Sequence, residues 1–223
     1  MSSSSGPDII TNGLILSLDA ANRKSYPGSG TTWFDRSGNS NNGTLTNGPT
    51  FSSTNGGSIV FDGINDWANF PSNSNYNVGT GDFSIFCWIK SSNKNNYQTI
   101  LSLDNAANGN GILLYTNVTN GVLRTWVGNV AQNGSVDITN NTWNYIGIVK
   151  ISGSVTHYIN SVSNVTFVSS NSVVSNQNLR LGSYDGADYM YNGNISQVSI
   201  YNKALSQSEI KQNFNATKSR FGL

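Results

Sequence analysis

Short runs of alternating apolar and polar residues, separated by Asn-, Ser- and Gly-rich turns, recur at about ten-residue spacing along most of the chain. That rhythm constrains the fold more than any other feature, because period-two alternation with frequent turns admits little besides an antiparallel sandwich or barrel. Strands are expected at 13–20 (GLILSLDA), 82–90 (DFSIFCWIK), 98–104, 111–116, 122–127, 142–151, 154–159, 179–183 and 193–201. In the run at 82–90, Phe83, Ile85, Cys87 and Ile89 alternate with Ser84, Phe86 and Trp88, so both faces are apolar enough for a central strand. The expected core is Phe61, Ile85, Cys87, Ile89, Ile146, Ile148, Ile195, Val198 and Ile200, with Trp88 and Trp143 also inside. No repeat of fixed length is present, which disfavours a propeller or solenoid.

The stretch SIVFDGINDWANF at 58–70 reads as two strands folded about Asp62-Gly63, anchored by Ile59, Phe61, Ile64 and Trp67. Its tip gathers Asp62, Asn65 and Asp66, as a plain turn or as half of a cation site. Before it, residues 22–51 carry two of the four prolines and many glycines, the composition of a long ordered surface excursion. A single helix is expected at 207–214, where Ser206-Gln207-Ser208-Glu209 forms a capping box and Leu205 and Ile210 take the staple positions. The resulting organisation is a flexible arm over 1–12, one domain over 13–214 and a tail over 215–223.

Composition narrows the function. At 223 residues the chain buries roughly 70% of its unfolded surface without needing a disulfide or metal. Only 10% of residues are charged and the net charge is +1, so no broad field attracts nucleic acid or an anionic membrane. Polar surface comes instead from Asn, Ser, Thr and Gly, which suit exposed turns and neutral polyhydroxyl ligands. Cys87, the single cysteine, lies in an apolar run and reads as a buried hydrophobe. The opening Met-Ser-Ser-Ser-Ser-Gly-Pro lacks the basic start and apolar core of a secretory signal, and no window approaches 18 apolar residues.

In order, SIVFDGINDWANF, DFSIFCWIK, NNTWNYIGIVK and NGNISQVSIYNKALSQSEIKQNF resemble the landmark strands of the laminin-G-like jelly roll of the concanavalin A-like lectin/glucanase superfamily. The likeness covers roughly 13–214. It implies an all-β fold, a two-sheet antiparallel jelly-roll sandwich with one short C-terminal helix. The opening GLILSLDAANRKSYPGSGTTWFDRSGNSNNGTLTNGPTF further resembles a subgroup found in virion proteins of tailed bacteriophages, where such domains decorate heads or tails. That setting implies a virion location, assembly in the host cytoplasm, and a capsid or tail protein as partner.

The superfamily contains enzymes and binders, and the residues favour a binder. Retaining glucanases of this fold need two carboxyls about 5 to 5.5 Å apart; this chain has one glutamate, Glu209, engaged by its capping box, and no strand carries carboxylates at i, i+2. The one histidine, His157, follows no nucleophile elbow, and one His with one Cys does not make a zinc site. No catalytic residue is therefore assigned. Members of the fold often hold a cation at the sandwich edge, which implies calcium on Asp62 and Asp66. The late strand reads Ile195-Ser196-Gln197 where the family often has a carboxylate, a departure that weakens such a site. For a glycan, the segment SYDGADYMY offers Tyr184, Asp185, Asp188 and Tyr189 about a Gly186 bend, with Trp126 as a second stacking platform. Two classes result: a non-catalytic carbohydrate-binding or adhesion module that takes bacterial surface polysaccharide, or a purely structural virion decoration that binds protein and no glycan.

Overall fold

In the computed structural model, which describes residues 7–103, 109–174 and 177–223, the alternating runs form two antiparallel sheets packed face to face. The strands are β1 (Leu14–Asp19), β2 (Thr32–Trp33), β3 (Gly43–Thr46), β4 (Thr50–Ser52), β5 (Ser58–Asp62), β6 (Trp67–Phe70), β7 (Phe83–Lys90) and β8 (Gln98–Ser102). They continue with β9 (Ile112–Thr116), β10 (Val122–Val127), β11 (Val130–Asp137), β12 (Asn144–Ile151), β13 (Ser154–Ile159), β14 (Val162–Val168), β15 (Leu179–Leu181) and β16 (Asn192–Tyr201). The first sheet runs β14-β13-β12-β7-β16-β5-β4, with β1 also beside β16; the second runs β11-β10-β9-β8-β15-β6-β3-β2. Of the strand expected at 98–104, Asp104 lies outside the described residues. Among the described residues no helix is long and apolar enough to cross a membrane.

Register stacks the core. Ile146 and Val198 flank Cys87, and Ile148 and Ile200 flank Ile85, so three neighbouring strands aim matching side chains at the second sheet. All nine expected core residues are buried there. Burial pushes the Cys87 thiol far up, which leaves it uncharged and unreactive. The outward residues of the same strands, Phe86, Trp88, Tyr145 and Tyr201, build a second apolar layer with Trp143, closed by Leu205, Ile210 and Phe221. The first sheet therefore has both faces covered, as the doubly apolar sequence of β7 requires.

The cover is helix α1 (Gln207–Thr217), started by the expected capping box: Ser206 Oγ accepts from the Glu209 amide and Glu209 Oε2 accepts from the Ser206 amide at 2.8 Å. It ends later than the expected Phe214. The segment expected as a tail from 215 instead finishes the helix and turns through a 3₁₀ segment, Lys218–Phe221, because Phe221 stacks on Trp88 at 4.1 Å and contacts Trp143 at 4.7 Å. Arg220 fixes the same end by a two-pronged pairing with Asp19 at 3.0 and 3.1 Å. Of the arm expected over 1–12, residues 1–6 lie outside the described residues. The remainder is not free: the Ile10 amide donates to Asn213 Oδ1 at 2.8 Å, Tyr201 Oη donates to the Ile10 carbonyl, and Ile9 and Ile10 pack on the second apolar layer.

The stretch at 58–70 is a correction. β5 pairs with β16 and β4 in the first sheet, whereas β6 pairs with β15 and β3 in the second, so the two strands form an arch between sheets rather than a hairpin. Ile64, expected as an anchor, is 75% exposed at the crest of that arch. Two further strands, β11 and β14, occupy the sheet edges on one side of the sandwich. There they meet through Asn164, which accepts from the Ser135 amide and donates to Ser135 Oγ.

Candidate functional site: the open face of the second sheet

The outer face of the first sheet is sealed by α1, and no helix covers the outer face of the second among the described residues. Register places one row of residues across it, each opposite the next: Trp126, Leu113, Ser102, Arg180, Asn69 and Thr44, of which Leu113 and Ser102 are buried, Trp126, Arg180 and Asn69 partly exposed and Thr44 exposed. At about 4.8 Å per strand, Trp126 stands about 14 Å from Arg180. Leu123, Thr125 and Val127 face the core, so Arg124 and Trp126 between them must face outward. By the same alternation Ala68 and Phe70 point in, leaving Trp67 and Asn69 half-buried on the open face. The Arg180 guanidinium lies 6.0 Å from the Trp67 ring centre, and Asn178 Nδ2 donates to Asn69 Oδ1 beside it.

The loop 182–191, between β15 and β16, stands at one end of this face. Its expected residues come together in part. The rings of Tyr184 and Tyr189 are 5.8 Å apart, and Tyr189 makes an edge contact with Tyr97 at 5.6 Å, which in turn meets Tyr115 at 5.7 Å. Four tyrosines thus link the loop to the sheet. Tyr189 is 46% exposed and adopts a left-handed backbone (φ 51°), a conformation costing an aromatic residue about 1–3 kcal/mol. Its carbonyl accepts from the Thr99 amide at 2.7 Å, which holds the strained residue against β8.

Asp185 shapes the loop: its Oδ1 accepts from the Ala187 and Asp188 amides at 2.9 and 2.8 Å. Burial raises its pKa, but those amides and the Arg180 charge outweigh burial and leave it below the usual carboxylate value. The Asp188 side chain is exposed. Trp126 lies on the same face but across the sheet, with its ring N–H donated to the Gly109 carbonyl at 2.7 Å.

The arch tip reaches the same end of the sandwich, where Gly63, Asn96, Tyr97, Val118, Tyr189 and Met190 line a shallow cleft of about 450 Å³. Asp62 Oδ1 accepts from the Ile64 and Asn65 amides, and Asp66 Oδ2 accepts from the Asp62 amide at 3.1 Å. Asp66 is 5% exposed; burial raises its pKa, partly countered by the Asp62 amide. One oxygen of each carboxylate is left over, and the described residues bring no third acidic, sulfur or imidazole group to them. Calcium takes six to eight oxygens, more than these two carboxylates supply by themselves.

The sequence reading overlooked Arg180, Arg124, Tyr97 and Tyr115, and took Trp67 only as an anchor. Strand alternation was the available signal, since a polar residue between two inward apolar ones faces out. Arg124 already spends two donors, with Nε donating to Tyr115 Oη at 2.6 Å and Nη1 to Asn133 Oδ1 at 3.2 Å. His157 is buried against Thr125 of the opposite sheet, with Nε2 2.8 Å from Thr125 Oγ1, and Glu209 is held by Lys203 and its cap.

Comparison with known proteins agrees with this architecture. A search of curated protein sequences gives no match. Among solved structures, the binding domain of Paraclostridial Mosquitocidal Protein 1 superposes with a TM-score of 0.72 at 20% identity, over 92% of this chain and 52% of that one. A botulinum neurotoxin type C structure, whose cell entry depends on interaction with two ganglioside molecules, gives 0.72 at 21% identity, over 93% and 52%. Trypanosoma rangeli sialidase in complex with the inhibitor DANA gives 0.67 at 16% identity, over 96% and 34%. The chain thus spans about half the length of the binding-domain structures it matches, and the shared feature is the fold. The laminin-G profile described as concanavalin A-like lectin/glucanases superfamily matches residues 61–211, most of the sandwich, and the chain belongs to that family.

Proposed function

We propose that this domain is a non-catalytic carbohydrate-binding module that recognises bacterial surface polysaccharide through the open face of the second sheet and the 182–191 loop. The observation that carries the reading is the contrast between the two outer faces. One is sealed by an aromatic layer and a helix, and the other presents Trp67, Trp126 and a tyrosine cluster beside Asn69, Asn178 and Arg180. Aromatic rings flanked by amide and hydroxyl groups stack on sugar faces and pair with hydroxyls. Glu209 is the sole glutamate and is spent on α1, and His157 is buried, which supports binding without hydrolysis. The ganglioside-dependent toxin of the same fold adds support by analogy alone.

The opening segment's likeness to tailed-phage virion proteins supports adhesion from a virion surface, anchored to a capsid or tail protein. A shallow open face leaves much of a sugar in water, so one site should bind near about 1 mM, or about −4 kcal/mol, and adhesion then comes from many copies on one particle. A calcium ion held weakly by Asp62 and Asp66 belongs to the same reading. The test is a glycan array and host-cell binding assay on a multimerised display of the protein and of its Tyr184→Ala, Tyr189→Ala double variant. Loss of signal in the variant supports the loop. Binding to no host glycan, with virion attachment unchanged in the variant, replaces this reading with that of a structural decoration protein.

A further inference from the structure

Resting on that reading, we infer that the glycan is acidic, and that Arg180 is the anchor for its carboxylate or sulfate group. Arg180 sits mid-face on β15, between Ser102 and Asn69, and its side chain is only partly exposed. Among the described residues its side chain donates no hydrogen bond and makes no ion pair, and its Nε is buried without an acceptor. A guanidinium carries five donors in a planar fork; here Nε is buried without an acceptor, which is costly, and the Nη donors are free to meet a ligand.

The other charges around it do not relieve that cost. Arg124, the other cation of this face, is already committed to Tyr115 and Asn133. Asp185 is near enough to feel the Arg180 charge, yet it makes no ion pair with Arg180 within 4 Å and turns Oδ1 to its own loop amides. Asp188 lies out on the loop, exposed. What remains is a fork held beside the Trp67 ring, open to solvent on one side, with the Asn69–Asn178 amide pair adjacent. Planar oxyanions match that fork with two parallel charge-assisted bonds, and Trp67 supplies the flat apolar surface for the ring that bears the anion. Neutral sugars satisfy the donors one at a time and gain less.

The test uses the multimerised protein and immobilised polygalacturonate, its methyl ester and dextran sulfate, with Trp emission as a second readout because Trp67 adjoins the anchor. The expected result is retention on polygalacturonate at least tenfold stronger than on its uncharged methyl ester. Arg180→Gln should erase that preference while keeping ester binding and the melting temperature. Lys211→Gln, on the exposed side of α1, should leave the preference intact. Dextran sulfate competing with polygalacturonate would assign any planar or tetrahedral oxyanion to the site, whereas failure to compete would assign the carboxylate; either supports the anchor. Equal retention of ester and acid, or a preference that survives Arg180→Gln, overturns the inference and leaves the carbohydrate reading standing. Binding to none of the three polymers overturns the inference, and the carbohydrate reading then stands or falls on the host-glycan test alone.

Discussion

His157 gives the sharpest quantitative prediction. It lies between the two sheets near their β14 and β11 edges, fully buried, with Nε2 paired to Thr125 Oγ1 and Nδ1 without a partner; Phe167 stands edge-on at 5.6 Å. Protonation would place a second N–H in that apolar pocket with no acceptor, so burial pushes the pKa down to about 4 from 6.5. The direction of the consequence is fixed: below pH 6.5 the unfolded chain binds the proton first, so stability falls as pH falls and stops falling below the folded value. Linkage puts this loss at about 2 kcal/mol by about pH 5 and about 3 kcal/mol by about pH 4, relative to neutral pH. Buried or paired carboxylates also titrate in acid, so the comparison needs a reference. His157→Gln keeps a polar reach toward Thr125 and does not titrate. Urea unfolding of both proteins from neutral to acid pH should show the wild type losing about 3 kcal/mol more than the variant, with the difference opening below about pH 6.5. Parallel profiles for the two proteins would refute the account of the buried ring.

Other substitutions test the remaining structure. Ile148→Ala should cost about 2–5 kcal/mol in chemical unfolding, since it removes a fully buried side chain where β12 meets β7; a change under about 0.5 kcal/mol would mean that the inward face is wrong. Phe221→Ala should cost about 3 kcal/mol and shift the tryptophan emission, because the ring stacks on Trp88 and touches Trp143; unaltered emission would detach the C-terminus from that layer. Calcium at about ten times its dissociation constant should stabilise the protein by about 1.4 kcal/mol, seen as a rise in melting temperature that Asp66→Asn abolishes. A melting temperature indifferent to calcium would remove the ion from the arch.

The strands with buried inward faces were legible because alternation records burial directly. β7 and β12 match their expected spans to within a residue or two, and their inward side chains are those expected. The edges were not legible. VAQNGSVD and VSNVTFV bury little, so no alternation marks them; only the left-handed pair Gly128-Asn129 before β11, and Asn160-Ser161 before β14, signal hairpins. The arch was misread for the opposite reason. Asp-Gly between two apolar runs is a strong hairpin signal, and only partners far along the chain, β16 and β15, decide that the runs join different sheets. For the site, the tyrosine loop stood out by composition, whereas a lone arginine between Leu179 and Leu181 looks like ordinary solvated surface until its neighbours show that it has no partner.

The pairing of β1 with β16 also governs how the protein can be made. Leu16 lies opposite Ile200, and the helix that covers the outer face of this sheet comes later still. A ribosome adding roughly 5–20 residues per second leaves β1 waiting about ten to forty seconds for its neighbour. Throughout that interval Leu16 and Leu18 have no native sheet to enter, and the nascent chain carries an open strand edge that other chains can pair with. Crowded synthesis should therefore favour aggregation over folding until β16 emerges, and slowing synthesis before that point should prolong the exposure.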